Sequence, residues 1–175
     1  NTLDGNTTGV ANASTVTTLS GFAADLITAY SSSEISGLGN EAILVDSGTS
    51  SVSLANYLSA ATSGIVSATL SDGDMATLAN LNESDNAYTI TISDTSVDAS
   101  ALNTLDSKTT VTINAAAVTT LSGSASDLNT AYSSSGISGL GNESITISDT
   151  SIDASALNTL DANTAGIIDA SAVTT

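Results

Sequence analysis

Two patterns of apolar positions alternate along the chain. In the first, apolar residues stand at every second position, as in a strand with one buried face. This pattern occurs at Tyr88, Ile90 and Ile92, at Val111 and Ile113, at Ile145 and Ile147, and at Val66, Ala68 and Leu70. In the second, apolar residues recur three and four positions apart, which is the spacing of one helix face. This pattern occurs at Leu121, Ala125, Leu128 and Tyr132, at Leu102 and Leu105, at Leu157 and Leu160, and at Met75, Leu78 and Leu81. We therefore predict short strands that alternate with short helices.

Polar residues and glycines mark the ends of the predicted helices. Asp98 and Asp153 stand directly before two of them and suit the N-cap position. Either Ser122 or Ser124 suits the same position before a third helix. Glycines that commonly end a helix follow three of the helical stretches, at Gly64, Gly136 and Gly166.

The chain repeats itself at two spacings. Shifted by 102 positions, residues 1–73 align with 103–175 without a gap, and 39 of the 73 pairs are identical. Shifted by 55 positions, residues 90–106 align with 145–161 with a single change, from Val97 to Ile152. Both spacings are close to multiples of a unit of about 25 residues, a length typical of solenoid proteins. Such units bury their apolar faces only by stacking on their neighbours.

We therefore predict a repeat solenoid, specifically a parallel α/β solenoid with one short strand and one short helix in each coil of about 25 residues. The alternative is an all-β parallel β-helix, in which the Leu-x-x-Leu stretches form tight corners. Residues 1–175 are expected to be one continuous solenoid of about seven coils, with approximate boundaries at 1–9 (partial), 10–34, 35–64, 65–86, 87–110, 111–136, 137–166 and 167–175 (partial). Neither end shows an atypical capping unit, so we expect either an excerpt of a longer array or a subunit whose ends are covered by identical neighbours. The residues expected in the core are Leu102, Leu105, Leu157, Leu160, Leu121, Leu128, Ile90, Ile92, Ile145 and Ile147.

Composition excludes several classes of function. Lys108 is the only cation against 18 carboxylates, so the net charge is −17 and a basic surface for nucleic acid is excluded. The chain has no Cys and no His, which excludes thiol catalysis, Cys/His zinc sites and Ser-His-Asp chemistry. The longest run of large apolar residues is Ile43-Leu44-Val45, so no membrane insertion is expected.

Three phrases carry a resemblance to a known class of proteins. Ala-Leu-Asn-Thr-Leu-Asp occurs at 101–106 and 156–161, Ala-Val-Thr-Thr-Leu-Ser-Gly at 117–123, and Ile-Ser-Gly-Leu-Gly-Asn-Glu at 35–41. These phrases resemble repeat regions of giant Ser/Thr/Ala-rich surface or secreted proteins of marine unicellular cyanobacteria. The resemblance covers nearly the whole chain. It implies a structural role outside the cell or at the cell surface, and it brings no catalytic residues with it.

The acidic residues are the first candidates for chemistry. Asp98 and Asp153, like most of the other acids, recur at fixed repeat positions, whereas a catalytic carboxylate pair is singular. We therefore interpret them as helix caps and as a hydrated surface. The turn Ser71-Asp72-Gly73-Asp74 offers oxygen ligands but lacks the spacing of a dedicated calcium loop. Calcium or other divalent cations are accordingly expected only as diffuse counterions.

Threonines and tyrosines suggest two other surfaces. Thr pairs occur at Thr17-Thr18, Thr119-Thr120 and Thr174-Thr175, together with Thr89-Ile90-Thr91, and a regular threonine array can bind ice. These pairs do not recur in every unit, so strand propensity and bonds between coils explain them better. The tyrosines could stack on sugars, but Tyr30 and Tyr132 share one repeat position on an apolar face, which favours core packing.

We therefore expect a structural repeat segment of an extracellular or cell-surface protein, in a filament, a sheath or an adhesin stalk. One alternative is a surface that binds ice, calcium or glycan, and another is a carbohydrate-active β-helix enzyme. The prediction is that the chain is not an enzyme, and no catalytic, cofactor-binding or metal-binding residue is proposed. The expected partner is the chain itself, by end-to-end stacking or within a longer chain.

Overall fold

Twelve short strands alternate with six helices in the described part of the chain. The computed structural model describes residue 6 and residues 8–174. The strands are β1 (Ala11–Asn12), β2 (Thr18–Gly21), β3 (Ile35–Ser36), β4 (Ala42–Val45), β5 (Val66–Thr69), β6 (Ala87–Thr89), β7 (Ser96–Asp98), β8 (Ile113–Asn114), β9 (Thr120–Gly123), β10 (Ile137–Ser138), β11 (Ser144–Ile147) and β12 (Ile168–Asp169). The helices are α1 (Ala23–Ser31), α2 (Val52–Ala61), α3 (Met75–Leu78), α4 (Ala99–Asp106), α5 (Ala125–Ser133) and α6 (Ala154–Asn163). The predicted α/β class is confirmed, and the all-β alternative is wrong because the Leu-x-x-Leu stretches are helical.

All the strand pairs are parallel, and each joins residues about one unit apart. Among the described residues the sheet orders are β1–β3, β8–β10, β2–β4–β5–β6 and β7–β9–β11–β12. Thr18 lies opposite Ala42, and Thr120 lies opposite Ser144. Parallel neighbours need a crossover connection, and helices supply it in most of the units. Helices of neighbouring units also contact each other, α1 with α2, α4 with α5 and α5 with α6.

The 102-residue repeat of the sequence is also a repeat of the structure. Each element from β1 to β5 begins 102 positions before its counterpart between β8 and β12. Ile43 pairs with Val66, and 102 positions later Ile145 pairs with Ile168. Equivalent sequences therefore take the same elements in the same strand register.

The number of strands in a unit differs from the prediction of one. Units 10–34, 35–64, 87–110, 111–136 and 137–166 each contain two strands before their helix. Strands β1, β3 and β10 have only two residues, too few to show an alternating pattern in the sequence. The predicted strands around β6 and β8 also extend beyond the observed ones, because Ile90 and Ile92 follow β6 and Val111 precedes β8.

Leu121 lies in β9 and not on a helix face. Only Ser124 separates the end of this strand from Ala125, where α5 begins. Because the strand runs almost directly into the helix, the four-residue step from Leu121 to Ala125 imitates a helical turn. Ser124 Oγ accepts a hydrogen bond from the N–H of Asp127 at 3.1 Å, so Ser124 is the N-cap and the alternative, Ser122, is wrong.

The apolar core lies between the strands and the helices. Of the ten residues predicted to be in the core, all except Leu157 are at most 3% exposed. Leu157 is only partly buried against the core. It lies on α6, which packs against α5 and is followed by no other helix in the described residues. Its counterpart Leu102 lies on α4, between α3 and α5, and is 0% exposed.

The glycines after the helices are required by close approach and not by helix termination. A Cβ atom on Gly64 would collide with the backbone carbonyl of Glu41, and one on Gly166 would collide with that of Glu143. Gly136 is confined in the same way by a side chain of the preceding unit. None of the three has the positive φ of a helix-ending glycine. These positions therefore set how closely one unit approaches the next.

We predict unequal costs for one substitution at two equivalent positions. Leu102→Ala is expected to lower the free energy of unfolding by about 2–5 kcal/mol, as buried leucine truncations do. Leu157→Ala is expected to cost clearly less, because its side chain is only partly buried in an identical stretch of sequence. Urea denaturation of both variants measures the difference. Equal losses of stability would contradict the different burial of the two leucines.

Candidate functional site: carboxylates that join consecutive units

Three aspartates bind the first turn of the helix in the preceding unit. Asp72 Oδ2 accepts a hydrogen bond from the N–H of Val52, the first residue of α2, at 2.7 Å. Asp94 does the same for the first residue of α3, also at 2.7 Å, and Asp149 for the first residue of α5, at 2.6 Å. A helix N-terminus has unpaired N–H groups and a positive partial charge, so a carboxylate is favourable there. These aspartates therefore join consecutive units.

Three other aspartates cap the helix of their own unit, as predicted for two of them. Asp98 accepts hydrogen bonds from the Ser100 hydroxyl at 2.7 Å and from the Ala101 N–H at 3.1 Å. Asp153 caps α6, and Asp74 caps α3 through the N–H of Thr77. These hydrogen bonds lower the pKa of all three carboxyl groups, because they favour the charged form.

The two aspartates of the turn Ser71-Asp72-Gly73-Asp74, which were candidates for calcium ligands, make hydrogen bonds of these two kinds instead. Asp72 is bonded to the preceding unit, and Asp74 caps the helix that follows the turn. Within residue 6 and residues 8–174, no three acidic side chains come close enough to hold a metal ion. The two carboxylates of the turn thus have structural partners and are not gathered around one point.

Glu143 is a buried carboxylate that the sequence analysis did not single out. It is 0% exposed, and its Oε2 accepts hydrogen bonds from the Tyr132 hydroxyl and from the N–H of Gly141, both at 2.8 Å. Gly141 has a φ of 138°, a conformation that side chains rarely allow, and this turns its N–H toward the carboxylate. Tyr132 belongs to α5 and Glu143 to the next unit, so this pair also joins consecutive units.

The same arrangement occurs in the first half of the chain. Glu41 is 1% exposed and accepts hydrogen bonds from the Tyr30 hydroxyl and from the N–H groups of Gly39 and Asn40. The signal was present in the sequence, because a tyrosine, a Gly-Leu-Gly turn and a glutamate return together at the 102-residue spacing. Core packing of Tyr30 was predicted, and it is partly buried against the core.

Two tyrosines lie in environments that oppose ionisation. Burial raises the pKa of Tyr132, and the Glu143 carboxylate raises it further, because it accepts a hydrogen bond from the neutral phenol and its negative charge disfavours the phenolate. Burial also raises the pKa of Tyr88, which is 1% exposed. Tyr57, in contrast, is 44% exposed. The tyrosines are therefore distributed between core and surface and do not form one stacking platform.

The threonine pairs take part in bonds between units. Thr119 donates its Oγ1 proton to the Thr95 carbonyl at 3.1 Å, and its N–H binds the same carbonyl at 2.8 Å. The N–H of Thr174 binds the Thr150 carbonyl at 2.9 Å in the equivalent way. Thr175, the last residue of the predicted array, lies outside the described residues. These bonds agree with the interpretation that the threonines join neighbouring units.

An apolar groove lies between α3 and α4. Its lining includes Met75, Leu78, Leu81 and Leu105, together with Lys108. The Lys108 ammonium donates to a backbone carbonyl at 2.9 Å, and the lining contains no carboxylate.

The chain matches no known protein family, no curated protein and no solved structure. No helix among the described residues has both the length and the apolar character needed to cross a membrane. The geometry of the chain itself is therefore what bears on its function.

We predict that Tyr88 and Tyr132 ionise late. In an alkaline titration followed by phenolate absorbance, Tyr88 and Tyr132 should ionise well above pH 10, the ordinary value. Because the folded state raises these pKa values, their contribution to stability is complete below about pH 10 and is lost as the pH rises further. Tyr132→Phe should remove one late-ionising group, whereas Tyr57→Phe should leave both in place. Four ordinary ionisations in the native protein would contradict the burial.

Stability at acid pH is expected to follow the capping aspartates. Their pKa values are lowered in the fold, so the stability that they contribute is present above about pH 4 and is lost as the pH falls below that value. Urea midpoints between pH 6 and pH 3 should therefore decrease, and Asp98→Asn should flatten the decrease. Glu34→Gln is the control, because Glu34 is exposed between α1 and β3. An unchanged slope in Asp98→Asn would argue against the cap as its cause.

Proposed function

We propose that the chain is a structural repeat segment of an extracellular or cell-surface protein, and that its units stack as coils of an α/β solenoid. The observation that carries this proposal is the constant parallel register from one unit to the next. Leu19 lies opposite Ile43, which lies opposite Val66, so that one apolar row crosses three consecutive units. Stacking of this kind buries apolar faces that a single unit could not bury alone.

The bonds made by the acidic residues support a structural role. Asp72, Asp94 and Asp149 bind the preceding unit, and Glu41 and Glu143 accept hydrogen bonds from tyrosines of the preceding unit. A catalytic carboxylate has to meet a substrate, whereas these groups meet backbone N–H groups and phenols. We therefore propose a non-enzymatic scaffold.

The charge of the chain suits a long, hydrated assembly. A net charge of −17 repels parallel copies, and the repulsion weakens when salt or divalent cations screen it. Stacking along the coil axis depends on backbone and apolar contacts instead. The proposed partner is therefore another copy of the chain or further units of a longer chain, in a filament, a sheath or an adhesin stalk. The resemblance to repeats of giant surface proteins supports the location.

We expect salt to change lateral association more than axial association. Electron microscopy and light scattering of the isolated chain should show thin linear particles at low salt, and bundles of them when NaCl or CaCl₂ is added. Matched concentrations of a neutral osmolyte serve as the control for crowding. Stable monomers at high protein concentration under every condition, with no longer parent chain, would contradict assembly along the axis.

The location has a separate test that does not depend on assembly. Antibodies raised against the chain should label intact, non-permeabilised cells of the source organism. Labelling only after permeabilisation would contradict a place at the cell surface, whatever the assembly state.

A further inference from the structure

One stretch of eight residues occurs twice in the chain, in two different environments. Ala99–Asp106, which forms α4, has the same sequence as Ala154–Asp161, which begins α6. In α4, which α5 covers, Ala99 is 0% exposed. Its counterpart Ala154, on the uncovered helix, is exposed. The exposed face of α6 therefore carries, residue for residue, a surface that is covered elsewhere in the same molecule.

The contacts between α4 and the next unit show what this surface accepts. The Asn103 side-chain amide donates to the Asp127 carbonyl of α5 at 3.0 Å. Gly123, just before α5, lies so close to Ala99 that an added Cβ would be 3.3 Å from the alanine methyl. In α6, Asn158 is the counterpart of Asn103, and it is exposed to solvent. The next unit thus supplies a carbonyl and a glycine to the α4 surface.

The first helix of the chain is a second version of the helix that covers α4. Seven of the nine residues of α1 are identical to those of α5 at the 102-residue shift. Gly21 precedes α1 as Gly123 precedes α5, and an added Cβ on Gly21 would meet nothing within 4 Å. Leu19 is partly buried, whereas its counterpart Leu121 is 0% exposed. An open groove on this side of α1 is lined by Leu19, Ser20, Asp25, Leu26 and Ala29.

The strands beside these helices show the same correspondence. β7 pairs with β9, with Val97 opposite Leu121. Residues 151–153 correspond to β7 at the 55-residue shift but form no strand. β2, the counterpart of β9, is an edge strand of its sheet. Residues 151–153 thus correspond to one strand of the β7–β9 pair, and β2 corresponds to the other.

We propose that a second copy of the chain docks on α6 in the same register as α5 docks on α4. Ala154 then lies against Gly21 of the second copy, and Asn158 donates to the carbonyl of its Asp25. Ile152 becomes part of a new strand opposite Leu19 of the second copy. This inference rests on the proposed stacking of units and specifies which surfaces join, and in which register.

The register requires that one segment be exchanged. Within the chain, the connection from α4 to β9 is made by residues 107–119. In the docked pair, residues 166–174 of the first copy and residues 9–17 of the second copy both correspond to this connection and would lie in the same place. Residues 166–174 already lie in this place, because the hydrogen bond from the Thr174 N–H to the Thr150 carbonyl corresponds to the bond from the Thr119 N–H to the Thr95 carbonyl. Only one segment can fill the space, so the other must leave.

Side-chain size indicates that residues 166–174 remain and residues 9–17 of the second copy leave. Ile113 fills the equivalent place within the chain and is 0% exposed. Residue 168 is an isoleucine, whereas Ala11 lacks the three carbon atoms that would fill the same space. Within the described part of the chain, β1, which contains Ala11, pairs with β3 alone and over two residues. Ile168 then lies opposite Ile35 of the second copy, as Ala11 does now.

The docked arrangement is compatible with the charge of the chain. The acids near the new contact are Asp25 and Glu34 of the second copy and Asp153, Asp161 and Asp169 of the first. Asp25, Asp153 and Asp161 have aspartate counterparts within the chain, whereas Asp169 and Glu34 replace Asn114 and Gly136, so salt is needed to screen the added repulsion. When two copies dock, the first still exposes its α1 surface and the second still exposes its α6 surface. A contact between two different surfaces that does not close on itself produces linear filaments.

Cysteine crosslinking tests the register directly, because the chain has no cysteine of its own. Ser96 lies opposite Thr120 within the chain, and the corresponding pair between copies is Ser151 with Thr18. The full-length double variant S151C/T18C should form a ladder of covalent oligomers on oxidation. The assay is run in about 1 M NaCl, where the Debye length is about 3 Å and repulsion between copies is screened.

Two further pairs separate the exchange from simple stacking. D169C/S36C should also crosslink between copies, because Asp169 replaces Asn12, which now lies opposite Ser36. Simple stacking of intact copies would instead crosslink D169C/N12C, and that result would overturn the exchange. S96C/T120C is the positive control and should crosslink within one chain.

A pair of charge variants on α6 tests the surface itself. Leu157→Asp should abolish the oligomer ladder, because its counterpart Leu102 is fully covered by the next unit. Thr159→Asp adds the same charge to the same helix and should leave the ladder intact, because its counterpart Thr104 is exposed even though α4 is covered. Circular dichroism must show both variants folded. Monomers at all concentrations, or equal ladders from both variants, would overturn the docking without affecting the labelling of intact cells.

Discussion

The parallel pairing of one unit with the next is the constraint on which the rest of the structure depends. The strands are short and many side chains are small, so a unit on its own has little apolar surface to bury. Ile43 shows how pairing solves this, because it is 1% exposed between Leu19 on one side and Val66 on the other. The helices are held over these rows and contact the helices of neighbouring units. A shift of one residue in register would turn the apolar row to the solvent.

Electrostatics reinforce this pairing in an unusual way, because the chain has almost no cations. Its carboxylates cannot form many ion pairs, and those that join units accept hydrogen bonds from neutral donors instead. Asp149 binds a helix N-terminus, and Glu143 binds a phenol and a backbone N–H. Hydrogen bonds to a charged group are stronger than those between neutral groups. The acidic composition therefore does not compete with stacking, and part of it contributes to it.

Much of the fold could be predicted from the sequence, because the repeats place equal residues in equal positions. Helices α3 to α6 and nine of the ten core residues followed from apolar spacing, and the Asp98 and Asp153 caps followed from their position directly before apolar pairs. The partial burial of Leu157 did not follow from the sequence, because the sequence around it is identical to that around Leu102 and its burial depends on a neighbouring unit. Strands β1, β3 and β10 were missed because two residues are too few to show a period.

The candidate site was harder to predict than the fold. Asp72 was interpreted from its neighbours in the turn, but its partner Val52 lies 20 positions earlier. Glu41 and Glu143 are acidic residues in a very acidic chain, and composition alone gave no reason to expect them in the core. Only the joint return of tyrosine, turn and glutamate could have indicated the pair.

The strands stay paired although the number of residues between partners differs from unit to unit. Thr18 and its partner Ala42 are 24 positions apart, whereas Ser67 and its partner Ala87 are 20 apart. The difference lies mainly in the helix between the paired strands, because α1 has nine residues whereas α3 has four. Insertions and deletions in the helices and turns therefore leave the paired strands in place. In evolutionary terms, copies of the unit can drift in length after duplication while every strand keeps its partner.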